Sequence, residues 1–208
     1  MRVAILGKGP QAIKLCEWFM AHRMEYSIDA VVASNPEPDW CVSFRNWALE
    51  RQLPLFTEQG AIPACDLVVS CYYSSRIVEI DRHWKVINLH NAPLPKYRGG
   101  RPINWALKNG EKSHGVTIHE VVHEFDRGPI IGQVMFPIWP EVDEVLDVYN
   151  RCLRYGWELF KDVLPRVCEI EAIAQDENEA TYYSKEQAIE LGDRRGWTRE
   201  NSRVGEVA

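Results

Sequence analysis

Asn88 and His90 close an aliphatic run, Val86-Ile87-Asn88-Leu89-His90, and their spacing of two sets both side chains on one side of a strand. An amide that donates hydrogen bonds and an imidazole that takes or gives a proton then share one crevice, at the carboxyl edge where open α/β sheets hold their ligands. Further along, Asp126-Arg127-Gly128-Pro129 reads as a turn that offers a carboxylate from a loop. Amide, imidazole and carboxylate together can steady a developing negative charge and relay a proton. Each also fits a plainer role: Asn and His cap loops, and Asp is a common turn residue.

Two other patterns carry chemistry by type. Gly7-Lys8-Gly9-Pro10 could present backbone N–H groups to a phosphate at a helix N-terminus, but Ala12 stands where GxGxxG has its third glycine and no Walker lysine follows, so a plain tight turn fits as well. His119-Glu120-Val121-Val122-His123 has the HExxH form of zinc hydrolases, which need both histidines on one helical face. Its β-branched neighbours Val116, Thr117, Ile118, Val121 and Val122 read instead as a strand, in which the two histidines stand roughly 13 Å apart. A zinc hydrolase is therefore the remote alternative.

The elements that must position these residues follow from periodicity. Arg2–Leu6 reads as a strand, Gln11–His22 as a helix with Ile13, Cys16, Phe19 and Met20 on one side, and Ile28–Ala33 as a second strand. A helix over Trp40–Arg51, a strand over Leu67–Ser70, a short helix over Ser75–Asp81 and a strand over Val86–His90 continue the alternation, which predicts an open α/β sheet. Strands Val116–Val122 and Ile130–Phe136 are too close in sequence for a parallel crossover, so they should pair antiparallel and make the sheet mixed. A long amphipathic helix, roughly Val142–Leu164, is stopped by Pro165. The acidic and polar text after Ile173, with Thr181-Tyr182-Tyr183, predicts a short appendage with a frayed end over Arg199–Ala208.

Composition narrows the class. The 208 residues hold one large domain or one domain with a short appendage, and 46% hydrophobic residues exclude wholesale disorder. A net charge of −6 has the wrong sign for a nucleic-acid groove. The apolar run before Gly7 is too short for a signal peptide or a membrane span, and the six cysteines form no CxxC pair, so a cytoplasmic protein with reduced thiols and no membrane partner is expected.

The stretch Asn88–Glu111, NLHNAPLPKYRGGRPINWALKNGE, continued by His114–Gln133, HGVTIHEVVHEFDRGPIIGQ, resembles the core of the folate-dependent formyltransferase family. The shared marks are Asn-x-His, Leu-Pro-Lys-Tyr-Arg-Gly, Gly-Val-Thr-x-His and Asp-x-Gly-Pro, in order over about 50 residues. Asp66–Tyr73 with Arg76-Ile77-Val78 is similar to the segment lining that family's folate pocket. The resemblance implies a Rossmann-like open mixed α/β sheet, the formyltransferase fold, with residues 1–170 as catalytic domain and 171–208 as a short C-terminal appendage. Within the family, the 38 residues after Ile170 leave little room for the second domain of the methionyl-tRNA enzymes. Tyr72-Tyr73 and the loop Tyr97–Leu107 look most like the sugar N-formyltransferases, with a glycinamide ribonucleotide or other small-amine formyltransferase as the alternative.

That branch implies 10-formyltetrahydrofolate as donor and the primary amine of a nucleotide-linked sugar, such as a dTDP- or UDP-4-amino sugar, as acceptor. It also implies catalytic roles for Asn88, His90 and Asp126, and folate contacts from Tyr73, Arg76, Ile77, Val78, Val122, His123, Glu124 and Phe125. Lys8, Arg98, Arg101 and Asn104 are the expected phosphate or hydroxyl contacts, with Tyr182 or Tyr183 stacking on a base. No metal and no nucleic acid are expected; a homodimer is allowed.

Overall fold

The computed structural model describes residues 1–78, 80–184 and 186–191. The chain divides into two compact units, one ending at Asn88 and the other beginning at Leu89.

The first unit contains β1 (Arg2–Gly7), α1 (Gly9–Ala21), β2 (Ser27–Ala33), α2 (Phe44–Glu50), β3 (Leu55–Phe56), β4 (Leu67–Cys71) and most of β5 (Lys85–His90). The strand order is β3-β2-β1-β4-β5, with β1 parallel to both β2 and β4. Val3, Ala4, Ile5 and Leu6 of β1 are buried without alternation, as a parallel strand covered on both faces requires. At Gly7 any Cβ would lie 2.5 Å from the Cys71 carbonyl oxygen, so only glycine lets β1 turn into α1 this close to β4.

Two expected helices are corrected here. α2 starts at Phe44 rather than Trp40: the Ser43 side chain accepts from Asn46 N–H, and the Glu37 carboxylate accepts from the Ser43 hydroxyl and the Phe44 N–H, which anchors the helix start at that point. The helix expected over Ser75–Asp81 is reduced to a 3-10 turn at Ile80–Arg82. The Gln59 amide donates to the Arg76 carbonyl at 2.6 Å and accepts from the Val78 N–H at 2.9 Å, engaging backbone groups that a helix would pair internally.

The second unit takes the end of β5 and adds β6 (Arg98–Gly99), α3 (Pro102–Lys108), β7 (Ser113–Glu120), β8 (Ile130–Pro137), α4 (Val145–Val163) and β9 (Tyr182–Tyr183). Its larger sheet has the order β5-β7-β8, and β7 and β8 are antiparallel, which makes the architecture an open mixed α/β sheet. β7 begins three residues earlier than expected and stops at Glu120, where its N–H takes the Pro129 carbonyl and the ladder ends, so Val121 and Val122 lie beyond the strand. α4 opens with a capping box between Glu144 and Asp147 and packs closely on β8: a Cβ on Gly132 would meet Leu159 at 3.0 Å. α3, which the pattern did not announce, begins with Pro102 after Arg101 in the left-handed region.

Described residues beyond 170 are built into this unit. Ile173 bridges Ile130, and Tyr182-Tyr183 pairs in parallel with Arg98-Gly99. The expected frayed end at Arg199–Ala208 lies outside the described residues. No helix among the described residues is long and apolar enough to cross a membrane.

Candidate active site

β5 delivers His90 at its carboxyl end, buried, with Asn88 two residues upstream and half-buried. The His90 Nε2 lies 2.9 Å from the Tyr97 carbonyl oxygen. A carbonyl only accepts, so Nε2 carries the proton and Nδ1 is the nitrogen turned toward Asp126, 3.7 Å from Oδ1.

Asp126 lies on the turn after β7, in the left-handed region at φ 54. Its side chain is only 13% exposed. Oδ2 accepts the Gly99 N–H at 2.8 Å. Gly99 itself has φ +89, and a Cβ there would stand 2.3 Å from the Tyr183 carbonyl oxygen, so this donor sits where only glycine fits.

A second imidazole completes the cluster. His119 places Nδ1 2.8 Å from the Glu120 carbonyl and Nε2 3.6 Å from Asp126 Oδ1, while its ring stands nearly perpendicular to that of His90. One carboxylate oxygen therefore faces two imidazole nitrogens, each on a ring whose other nitrogen is held by a carbonyl. Burial pushes the Asp126 carboxyl up, but the nearby His90 and His119 and the hydrogen bond from the Gly99 N–H overrule it and hold the carboxyl well below the usual carboxylate range. The arrangement keeps a buried carboxylate ionised beside two proton carriers.

HExxH is resolved by this geometry. His119 belongs to strand β7 and His123 lies past its end, so the helical face that a zinc hydrolase requires is absent from residues 113–123. The strand reading undervalued His119, whose partner is Asp126 rather than His123. Gln175 was missed altogether: its amide donates to the Asp126 and Gly128 carbonyls, although it stands in the polar run read as an appendage.

The expected substrate residues separate into two sets. Arg98 is buried, and its guanidinium donates to Gln175 and, through two nitrogens, to Glu177 at 2.9 and 3.0 Å, so it is engaged within the chain. Tyr183 is stacked between Trp105 and Tyr97, and its hydroxyl accepts from Asn109. Arg101 and Tyr182 are exposed, and Asn104 is half-buried on α3. Lys8 precedes α1 in the first unit and donates to the Ser74 hydroxyl at 3.0 Å.

Of the expected folate positions, Tyr73, Arg76, Ile77 and Val78 follow β4 in the first unit, with Arg76 and Val78 exposed. Val122, His123, Glu124 and Phe125 form the approach to the Asp126 turn in the second, and Phe125 is 51% exposed.

The fold is an open mixed α/β sheet, and a buried carboxylate faces two imidazoles beside the carboxyl ends of β5 and β7, where sheets of this class place their ligands. A model of the formyl transferase family matches residues 53–164, a span that contains Asn88, His90, His119 and Asp126, and the chain belongs to that family.

Solved structures agree on the fold. An N-formyltransferase from Helicobacter canadensis, in complex with folinic acid and dTDP-3-aminofucose, is 25% identical, with a TM-score of 0.77 over 88% of this chain and 71% of that one. The formyltransferase PseJ from Anoxybacillus kamchatkensis, in complex with UDP-4,6-dideoxy-4-formamido-L-AltNAc and tetrahydrofolate, is 23% identical, with a TM-score of 0.66 over 91% and 89% of the two chains. A phosphoribosylglycinamide formyltransferase from Bacillus halodurans is 19% identical, with a TM-score of 0.67 over 81% and 96%.

Proposed function

We propose that this formyltransferase moves a formyl group from 10-formyltetrahydrofolate to the primary amine of a nucleotide-linked amino sugar. The observation that carries the reading is the Asp126 carboxylate held against the His90 and His119 rings, two residues along β5 from the Asn88 amide. The likeness to the Helicobacter enzyme, solved with a formylated folate and a dTDP-amino sugar, supports the choice of donor and acceptor.

The amine attacks the formyl carbon as its lone pair forms the new C–N bond, and negative charge gathers on the formyl oxygen. Asn88 donates a hydrogen bond to that oxygen. The proton lost by the amine passes to the His90–Asp126 pair and on, through water, to the folate nitrogen as its bond to the formyl carbon breaks. A separation of 3.7 Å between His90 and Asp126 is longer than a hydrogen bond, and catalytic contacts of this kind tighten when substrate binds. The ionised Asp126 carboxylate faces His90 Nδ1, the nitrogen without a proton, which receives one from the amine, and His119 gives the same carboxylate a second partner.

Arg101, Asn104 and Lys8 are proposed for the phosphates or hydroxyls, and Tyr182 for the base; Arg98 and Tyr183 act from behind as internal supports. Tyr73, Arg76, Ile77, Val78 and Val122–Phe125 are the proposed folate contacts. All six cysteines are free thiols, which suits the cytoplasm.

Incubation with 10-formyltetrahydrofolate and a panel of nucleotide-linked amino sugars, with glycinamide ribonucleotide alongside, tests the reading through folate release. Transfer to an amino sugar is expected, with kcat lowered about a hundredfold or more in Asn88→Ala and in His90→Ala. Transfer to glycinamide ribonucleotide alone would move the enzyme to the other branch. Turnover that survives both substitutions would remove the assigned roles.

A further inference from the structure

Asp126 sits in the left-handed region at φ 54, which Asp tolerates better than most L-residues but which still costs energy, and contacts from outside the turn offset that cost. The Gly99 N–H fixes only the carboxylate. The backbone of the turn is held by Gln175, whose amide donates to the Asp126 carbonyl at 2.8 Å and to the Gly128 carbonyl at 2.7 Å. The amide oxygen accepts from Arg98 Nε at 3.0 Å and Nη2 at 2.8 Å. Both donors and both lone pairs of a primary amide are thereby used, which leaves it one orientation.

The partners of this amide are themselves constrained. The buried Arg98 guanidinium is neutralised by Glu177, which also pairs with Arg127 of the same turn at 3.1 Å. The next residue in the chain, Gly99, is the one that donates to the Asp126 carboxylate. Residues 98, 99, 175 and 177 thus grip the turn by its backbone, its side chain and its neighbour Arg127. Gln175 lies outside the segment matched by the family model.

We propose that Gln175 is a positioning residue: by fixing the Asp126–Gly128 backbone it sets the Asp126 carboxylate against His90 and His119, and Arg98 with Glu177 orients its amide. The inference rests on the reading of Asp126 as part of the proton-handling cluster. The hydrogen bonds of Gln175 go to the turn's backbone carbonyls and to Arg98, so it acts through the turn.

The test uses the full chain with Gln175→Met, which keeps the length of the side chain and removes both donors. In steady-state transfer with 10-formyltetrahydrofolate and the best acceptor of the panel, kcat should fall about tenfold to a hundredfold while both KM values stay within about threefold, as expected for misplacement of a group that acts in the transition state. The double variant Gln175→Met/Asp126→Asn should be no slower than Asp126→Asn alone, because the second change has nothing left to misplace.

In substrate-free protein labelled at histidine with 15N, the ring signals of His90 and His119 should move in Gln175→Met in the direction they move in Asp126→Asn. Losses that multiply in the double variant, or ring signals that stay put in a folded single variant, would overturn the proposal. Where Gln175→Met gives no cooperative melt, Gln175→Glu replaces it, since it keeps an acceptor for Arg98 and loses the donors. A wild-type protein that transfers no formyl group defeats the functional reading, and the ring signals then decide the fate of Gln175 separately.

Discussion

Two histidines in this protein show opposite solutions to burial. His90 keeps one nitrogen on a backbone carbonyl and turns the other toward a carboxylate, where a proton has a partner. His114 is fully buried, gives Nε2 to the Asn91 carbonyl and leaves Nδ1 without a partner, so a second proton there would be enclosed without compensation. Burial first, and the nearby His90 charge after it, push His114 down from 6.5 to about 4 against the pull of the Asn91 carbonyl. The folded form therefore refuses a proton that the unfolded chain accepts below pH 6.5. His114 adds stability that is complete above that pH, is lost as the pH falls toward 4, and amounts to about 3 kcal/mol. Asp126, held below the usual carboxylate range, loses its own contribution only in stronger acid. Melting curves between pH 7 and pH 4 should show the loss, and His114→Phe should flatten the upper part of that window; an unchanged slope would dismiss the assignment.

At the scale of elements, the end of β7 and the turn after it act as one fitting. A Cβ on Gly128 would stand 1.7 Å from the Glu120 carbonyl oxygen, a backbone atom at the end of β7 that cannot rotate away. Gly128→Ala must therefore push the turn off β7, carrying Asp126 with it. We expect kcat at least tenfold lower and a lower melting temperature, because two backbone segments would have to separate. An alanine variant with native turnover would mean that the turn can shift without moving the carboxylate. The same logic explains where α2 begins: Glu37, seven residues before Phe44, meets the helix end with its carboxylate.

For the molecule as a whole, described residues after Ile170 pack against the loop after β5 and the Asp126 turn. Thr181 accepts the Tyr97 N–H through its side chain and the Arg98 N–H through its backbone, and Gln175 and Glu177 reach the Asp126 turn. A chain cut after Ile170 should lose at least as much kcat as Asp126→Asn in the same transfer assay. Full turnover in the shortened chain would relegate the segment to a surface role.

Much of the scaffold was legible before folding: β1, β2, β4, β5 and β8 lie where β-branched and aliphatic runs stand between turn residues, and α4 follows an apolar stripe of helical period. Asn88 and His90 were legible for the same reason, since alternation along a strand assigns the face. The helix expected over Ser75–Asp81, the short α3, the value of His119 and the part played by Gln175 were not. Local pattern records which residues must leave water, and that determines strands and long helices. Partners for backbone groups and for a buried carboxylate come from chain far away, as Gln175 does from 49 residues beyond Asp126, and only the folded structure chooses among them.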